Sequence, residues 1–578
     1  MEEDGEKGEK GEYIGPDGKP MSKSAWKKYQ TQLKNQEAKA KKAAAKAATA
    51  PADGEGASKK KKEEEEEELD PSKYRENRMK VIESLQDPYP HKWPVNTSVP
   101  AIVEQYKDIE PQSKVDGVEV VMGGRVLAKK EMGKLIFYDL HADGSRIQIM
   151  CSESDHKVGD FKEAHRMIKY GDIIGVRGGI GKSKTGELSC FPVEVKCLSP
   201  CLHMLPRAHS GLKDQATRYR QRYLDMITNS ETRRTFQIRS RIISYIRRYL
   251  DERGFLEVET PMMNQVCGGA AAKPFCTHHN DLNIEMFMRI APELYLKQLV
   301  VGGFDRVYEI GRQFRNEGID LTHNPEFTSM EFYMAYADFE DLMNIAEELV
   351  SGMVYAIHGS YKIKYQPLKK DEVELDFTPP WPRYPMVETC EERGNLKIPR
   401  GFDDETQAYL EAEMSKLEAK LQAEGELKPG EPIVGKPRTL ARLLDGFAGY
   451  YIEDQISTKP GFITEHPQIM SPLAKYHRNK PGVTERFEGF IMGKELLNAF
   501  TELNNPMVQR KCFEDQSKAA AAGDEEAQGI DEAFVTALEY GLPPTGGLGL
   551  GIDRMTMFLS NKNNIKEVIL FPQMKPDE

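Results

Sequence analysis

At roughly 150 residues per domain, a chain of 578 residues has room for about four domains, and 39% hydrophobic residues supply sizeable buried cores. Its 80 Lys and Arg against 92 Asp and Glu leave a net charge of -12. That excludes an overall basic nucleic-acid binder and confines any such role to a local patch. No apolar run approaches the roughly 18 residues of a membrane span. The opening Met1-Glu2-Glu3-Asp4-Gly5 has no signal or transit pattern, and eight cysteines without framework spacing fit reduced thiols. The expectation is a large, soluble, intracellular protein.

Residues 1–70 form a compositional world of their own. From Lys19 to Lys46 there are nine lysines against one acid, Glu37, a local charge of +8. Trp26, Tyr29 and Leu33 at i, i+3, i+7 suggest a weakly amphipathic helix. Lys59 to Lys62 then meet Glu63 to Glu68. One reading is a solvated, disordered tail. The other is an electrostatic arm for a polyanion, because clustered lysines neutralise phosphates and release counterions. The remainder of the chain decides between them.

From residue 70 to about 206 the pattern turns to β. Runs at 118–129, 134–141, 146–151, 172–180 and 187–198 alternate or run apolar, with the turn Ala142-Asp143-Gly144 between the second and third. Five short strands with one helical stretch at 159–169 suit a small barrel of the oligonucleotide-binding type. The tract 202–225 is basic and irregular. A helix is expected over 231–253, with Phe236, Ile242, Ile243, Ile246, Tyr249 and Leu250 on one face and Gly254 as its stop. Beyond it strands and helices mix without regular βαβ alternation, which favours an antiparallel α+β domain. Residues 404–424 read as a surface helical insertion.

Two motifs are set aside on spacing. Gly181-Lys182-Ser183 resembles the end of a phosphate-binding loop, which requires Gly where Val176 stands. Cys197, Cys201 and His203 lack a fourth ligand at zinc-site spacing.

Three stretches carry chemistry. Phe314-Arg315-Asn316-Glu317, followed by His323-Asn324-Pro325-Glu326-Phe327, places Arg315 and Glu317 on one face if the segment is a strand. Gly546-Gly547-Leu548-Gly549-Leu550-Gly551-Ile552-Asp553-Arg554 reads as a glycine loop that lets a ligand approach the backbone at a helix start. Glu485-Arg486-Phe487-Glu488, then Glu495, Asn498 and Glu502, spaces Glu488 and Glu495 for convergence on one magnesium site across paired strands. Each has a bland reading, as an ion pair, a turn or surface carboxylates.

Together these stretches resemble the class II aminoacyl-tRNA synthetases, most closely the lysyl members of the eukaryotic cytosolic kind, over about residues 70–576. The segment from the 231–253 helix through Phe255-Leu256-Glu257-Val258-Glu259-Thr260-Pro261 is similar to motif 1, the Arg315 stretch to motif 2, and Gly549 to Arg554 to motif 3. The resemblance implies a multidomain protein: a Lys-rich extension (1–70), a five-stranded OB-fold anticodon-binding barrel (71–206), a linker (207–230) and an α+β catalytic domain (231–578). In the last, helices flank an antiparallel sheet, and a helical insertion lies near 400–450.

It further implies ATP-dependent activation of L-lysine to lysyl-adenylate and transfer to tRNA(Lys), with Mg2+ (about three ions accompanying ATP) and no covalent nucleophile. Arg315, Arg554, Glu488 and Glu495 would be catalytic, the two glutamates as metal ligands. ATP would meet Arg315, Glu317, His323, Asn324, Phe327, Glu488, Glu495, Gly551, Asp553 and Arg554, with Phe327 and Arg554 sandwiching adenine. Lysine would meet Gly269, Glu293, Arg315, Glu331, Tyr333, Asn498, Phe500 and Glu502. Lys130, Phe137, Gln148 and Glu187 would read the anticodon, and Lys23, Lys27, Lys28 and Lys34 would belong to the tRNA-gripping arm. A cytoplasmic homodimer is implied, and membership of a multi-synthetase complex stays open. Lys19-Pro20-Met21-Ser22-Lys23-Ser24 resembles the loop of the other synthetase class, but its His-x-Gly-His partner is absent from the sequence.

The side-chain selector decides among related subclass members. Glu502 stands where the aspartate enzymes carry an arginine, and Glu293 where they usually carry Gln. An anion suits an ammonium and repels aspartate. The alternatives are an aspartyl or asparaginyl enzyme, a lysine ligase acting on protein, and a catalytically dead relative. The first is disfavoured by Glu502, the second by the barrel, the third by the presence of Arg315, Glu488, Glu495 and Arg554. Cys267, Gly489, Gly493 and Lys130 depart from common family residues.

Overall fold

The computed structural model describes residues 13–14, 20–21, 70–85, 87–206, 212–521 and 529–576. Lys23, Lys27, Lys28, Lys34 and the helix expected around Trp26 lie outside the described residues. The chain divides into two compact units between Leu205 and Pro206.

In the second unit an eight-stranded sheet is built from β6 (Leu256–Glu257), β7 (Arg306–Phe314), β8 (Glu326–Ala335), β9 (Arg383–Pro385), β10 (Gly461–Thr464), β11 (Arg486–Ile491), β12 (Lys494–Thr501) and β13 (Thr545–Gly551), counting five earlier strands in the first unit. Its order is β9-β10-β11-β12-β13-β8-β7-β6. The central pairs are antiparallel and only the edge pairs β9/β10 and β6/β7 are parallel. Because side chains alternate across a strand, Phe332, Leu548, Leu550, Leu497 and Ala499 face one side, where they join the main core. There they meet Ile238, Ile242, Ile246 and Leu250 of the helix Ser230–Asp251, and Leu342, Ala346 and Val350 of Phe339–His358. Their neighbours in sequence, Glu331, Tyr333, Gly547, Gly549, Asn498 and Phe500, turn to the opposite face, where the cavity lies.

Three expectations for the helices of this unit change. Phe236 is half-buried outside the core, with the Arg222 guanidinium 5.4 Å from its ring centre. The tract expected to be irregular folds into the short helices Gln215–Arg220 and Arg222–Thr228. Its arginines are structural: Arg222, 1% exposed, donates to the carbonyls of Leu570 (2.9 Å), Lys566 (2.6 Å) and Ile569 (3.1 Å). Gly254 ends the long helix as expected, at φ +76°. The 404–424 insertion is a helix, Asp404–Glu424, yet more than a surface feature. Leu410, Met414, Leu417 and Leu421 bury against Leu443, Leu444 and Phe447 of Leu440–Tyr451 in a separate small core.

The first unit contains a closed barrel of β1 (Val120–Met132), β2 (Leu135–Ala142), β3 (Ser145–Ser152), β4 (Ile173–Lys182) and β5 (Leu188–Ser199), ordered β1-β2-β3-β5-β4. Ile136, Tyr138 and Leu140 point inward and Phe137 and Asp139 outward. Asp143 and Gly144, at φ +48° and +80°, close the β2–β3 hairpin in the left-handed region that the strand twist prefers. Before the barrel, where β structure was expected from residue 70, α1 (Pro71–Glu83) forms instead. Asp70 caps it by accepting from Ser72 N (2.9 Å), and Pro71 sits where no N–H is required.

Arg78 of α1 is 4% exposed and donates through Nη2 to both oxygens of the fully buried Asp172 (2.7 and 2.8 Å). Asp172 also accepts from Cys201 N (2.7 Å) and Lys169 N (2.8 Å), so one carboxylate ties helix, barrel and the segment after it. Breaking a buried pair strands a charge, which costs about 3–5 kcal/mol. Asp172→Asn should therefore destabilise this unit by about that amount, seen as an earlier transition in urea unfolding followed by tryptophan fluorescence. An unchanged midpoint would refute the assignment.

Candidate functional site

A cavity of about 420 Å³ opens on the face of β8, β13, β12 and β11. The glycine run that forms part of its floor is not a loop: residues 545–551 are the central strand β13, paired with β12 and β8. Crowding requires glycine at 547: a Cβ there would lie 2.1 Å from Glu502 Oε1 and 2.5 Å from Tyr333 Cε1. Gly547 thus leaves the room that those two side chains occupy, whereas a Cβ on Gly549 would meet Glu331 Cγ at an ordinary 3.5 Å.

Arg315 and Glu317 likewise differ from expectation. β7 stops at Phe314: Arg315 N still donates to Pro325 O (2.9 Å), the next rung of the ladder, but Pro325 has no N–H to return the bond and Asn316 N turns to Lys273 O (2.7 Å). Both residues nevertheless line the cavity. The Arg315 guanidinium lies 5.1 Å from the Phe327 ring centre, and its buried Nε has no hydrogen-bond partner among the described residues. His323 Nδ1 meets Asp320 Oδ2 at 2.8 Å, while its Nε2 lies 3.0 Å from Arg554 Nη2. Arg554 also donates to Glu495 O (2.8 Å) and Oε2 (3.3 Å). Asn324 donates to Glu326 O (2.6 Å), leaving its buried Oδ1 without a partner among the described residues. Asp553 borders the cavity at the start of the helix Ile552–Leu559, beside Gly551. Its carboxylate is occupied by Arg239 Nη1 (2.5 Å) and Thr328 N (2.7 Å), which dock that helix on β8.

Glu488 and Glu495 stand on paired strands across a bulge at Gly489/Phe490. Gly489 fits because a Cβ there would lie 2.9 Å from Leu497 Cγ. Burial pushes Glu488 up, but the Arg486 guanidinium and His466 override it and hold its carboxyl down to about 2. Burial and the neighbouring Glu488 raise Glu495. Among the described residues no group of three or more His, Cys, Asp or Glu could hold a metal ion. Two repelling carboxylates in one enclosure still fit Mg2+, which takes one or two protein oxygens and completes its shell with phosphates and water.

At the other end lie Gly269, Glu293, Glu331, Tyr333, Asn498 and Phe500. Gly269 adopts φ +93°, and a Cβ on it would press on Ala291 and Glu293 at 3.4 Å. Burial, then Glu293, lifts Glu331 to about 8, and the Tyr333 hydroxyl donates to it at 3.3 Å. The departing Cys267 also borders the cavity, its thiol pushed up to about 12 by burial. Glu502 differs from the rest. It is 1% exposed, lies behind Gly547 rather than on the cavity wall, and is in contact with the ammonium of Lys297. Lys297 in turn meets Glu293 Oε1 at 2.7 Å.

Sequence reasoning missed Lys297, Arg486, Arg239 and His466. Two of these had a signal: Lys297 is four residues from Glu293 on a helix, and Arg486 is two from Glu488 on a strand. Arg239 and His466 reach the site from distant segments, which no local spacing reveals.

On the barrel, Phe137 and Gln148 lie on one outward face, with Lys130 paired opposite Phe137 in the ladder and Phe137 opposite Met150. Gln148 Oε1 accepts from Ser189 Oγ (2.9 Å), and Glu187 pairs with Arg146 at 3.1 Å. Phe137 is half-buried and is not part of the barrel core.

A family model described as tRNA synthetases class II (D, K and N) matches residues 214–575, and one described as an OB-fold nucleic acid binding domain matches residues 120–198. The chain is 48% identical over 515 residues to the lysine–tRNA ligase cla4 of Cladosporium cladosporioides, covering 87% of this chain and 84% of that one. It is 48% identical over 493 residues to a probable cytoplasmic lysine–tRNA ligase of Encephalitozoon cuniculi (85% and 94% covered). Against the lysine–tRNA ligase of Thermosipho africanus the identity is 42% over 511 residues (87% and 96% covered). No helix among the described residues is long and apolar enough to cross a membrane. The motifs, the sheet they build and these matches agree, and the chain belongs to the class II tRNA synthetases of the aspartate, lysine and asparagine group.

Proposed function

We propose that the protein is a lysine–tRNA ligase that activates L-lysine with ATP and transfers it to tRNA(Lys). The carrying observation is the pair Glu293 and Glu331 on the cavity wall with Glu502 directly behind Gly547, where an aspartate-specific site needs positive charge. The relatives named lysine–tRNA ligase support the same reading.

In this reading the substrate carboxylate attacks the α-phosphate in line, two anions that repel unless positive charge is fixed in advance. Arg315, whose Nε is unpaired, bridges that carboxylate and the α-phosphate, and Asn498 holds the carboxylate from the sheet. Phe327 and Arg554 flank adenine, and His323 and Asn324 hold the nucleotide beside Glu317 and Gly551. Asp553 acts by docking the helix that bears Arg554. Mg2+, about three ions with ATP, would sit on Glu488 and Glu495 and neutralise the phosphates. Glu331 and Glu293, with the backbone at Gly269, take the α-amino group. Glu502 and the Tyr333 hydroxyl take the ε-ammonium beside Phe500.

The organisation that follows is a lysine-rich extension to residue 70, an anticodon barrel to 206, a linker to 230 and the catalytic body. Phe137 stacks an anticodon base while Lys130, Gln148 and Glu187 meet base edges. A cytoplasmic homodimer is supported by two relatives named cytoplasmic and by exposed Leu256, Met262 and Met263 around motif 1.

Glu502→Gln should strand the ε-ammonium at a cost of about 3–5 kcal/mol, lowering kcat/KM for lysine by about two orders of magnitude or more in ATP–pyrophosphate exchange. Normal lysine activation by that variant would overturn the reading. Glu331 supplies a pH test. Its carboxyl is raised to about 8 by burial and Glu293, and an incoming ammonium favours the ionised form. Lysine binding therefore releases a proton below pH 8. KM for lysine should fall by up to about tenfold per pH unit on going from pH 6 towards 8, then level off. Glu331→Gln should flatten that slope. Deleting residues 1–70 should weaken tRNA binding most at low salt and leave adenylate formation intact. Equal tRNA affinity at low and moderate salt would count against the arm.

A further inference from the structure

The amino-acid pocket contains a cation that the reaction as described does not use. Lys297 is on the same helix as Glu293 (Glu293–Val301), one turn further along, and is fully buried. Its ammonium meets Glu293 Oε1 at 2.7 Å and contacts the Glu502 carboxylate. Its other surroundings are apolar: the rings of Phe500 and Phe534 lie 5.7 and 5.6 Å away. It does not reach the cavity wall, so it holds the two glutamates from behind. A buried lysine survives ionised only where carboxylates outweigh its desolvation, and here Glu293 and Glu502 raise it. The remaining ionisable groups that face this cluster are Glu331 and Tyr333 on β8 and, towards Glu293, Arg486 on β11.

The charge count is then specific. Glu293, Glu331 and Glu502 carry three negative charges when ionised, and Lys297 cancels one. The remainder matches two ammonium groups, the number that free lysine brings, while its carboxylate is matched separately by Arg315. We propose that Lys297 is a positioning and specificity-setting residue: clamped between Glu293 and Glu502, it orients both and fixes the pocket's charge to suit a diammonium amino acid. A neutral amino acid leaves a buried carboxylate uncompensated, and an acidic one adds to the excess. The ammonium of Lys297 is a permanent member of the pocket and is not displaced by substrate.

This rests on the lysine reading above, and the two fail separately, because lysine-dependent exchange by the wild-type chain tests the reading without touching Lys297. The direct variant is Lys297→Met in the full-length protein, which keeps an unbranched stem one atom shorter and removes the charge. ATP–pyrophosphate exchange should show KM for lysine raised by about tenfold or more at pH 8.5 with KM for ATP within about twofold. The gap should narrow at pH 6.5, where a proton shared by the carboxylates replaces the missing cation. A packing defect has no reason to follow pH in that way. The second test is epistasis. Glu293→Gln should raise KM for lysine in the wild-type background but lower it in the Lys297→Met background, because the double variant restores the charge count. If Lys297→Met alone does not fold, the double variant compared with Glu293→Gln carries the test by the same logic. Unchanged or tighter lysine binding in Lys297→Met overturns the proposal. So does a Glu293→Gln penalty of the same sign and size in both backgrounds.

Discussion

Everything at this site follows from holding carboxylates together away from water. Glu293, Glu331, Glu488 and Glu495 line one enclosure with Glu502 behind it, and an isolated buried carboxylate protonates rather than remain charged. The fold answers differently at the two ends. Glu488 is held down to about 2 by Arg486 and His466. Glu331, where burial and Glu293 outweigh Arg315 and Arg289, is raised to about 8, so its charge responds to what lies beside it near neutral pH. The sheet is shaped around this requirement. Gly547 of β13 is an absence of side chain at the place where Glu502 and Tyr333 need the volume.

How much of this was legible depended on whether the cause was local. The barrel strands follow from alternation that a reader can count, and the hairpin at Asp143-Gly144 from turn chemistry that two residues decide. The long helix before Gly254 announced itself by periodicity, although Phe236 left the apolar face for the Arg222 guanidinium. The glycine run was misread as a loop because glycine punctuates most sequences. Its strand character comes from two partners, β12 and β8, supplied by segments far away in the chain. Arg315 was expected on a strand because strand spacing fits it; it keeps one ladder bond, to Pro325 O, but Pro325 has no N–H to return it and Asn316 N turns to Lys273 O, in a segment distant in sequence. Lys297 was hidden behind an unremarkable i, i+4 pair whose second partner, Glu502, lies some two hundred residues on. That is why its sequence neighbourhood reads as an ordinary buried helix.

The net charge of -12 gains a meaning from this arrangement. It averages a lysine-rich opening segment with an acidic body, and part of that acidity is confined to the cavity rather than spread over the surface. A charge total therefore says little about partners until its location is known. The arginines tell the same story in reverse. Arg78, Arg222 and Arg289 are nearly inaccessible and serve backbone carbonyls and buried carboxylates, so they add nothing to a binding surface.

Arg486 shows how the two ends of the cavity are kept in register. Its Nη2 donates to Glu488 at 2.5 Å, its Nε to Asn498 Oδ1 at 3.0 Å and its Nη1 to Met470 O at 2.7 Å. A guanidinium is planar and does not lose its proton, so these three acceptors are fixed relative to one another. Accepting through Oδ1 also commits the Asn498 amide: its nitrogen is left as a donor, suited to a carboxylate and unsuited to an ammonium. One side chain on β11 thus holds Asn498 and Glu488, two residues of the cavity wall, in fixed relation. In the proposed reaction, in-line attack demands that the two reacting groups meet within about 3–3.5 Å, and misplacement by about 1 Å costs heavily. Rigid coupling through a single residue meets that demand better than separate supports, because any shift of the strand moves both ends together.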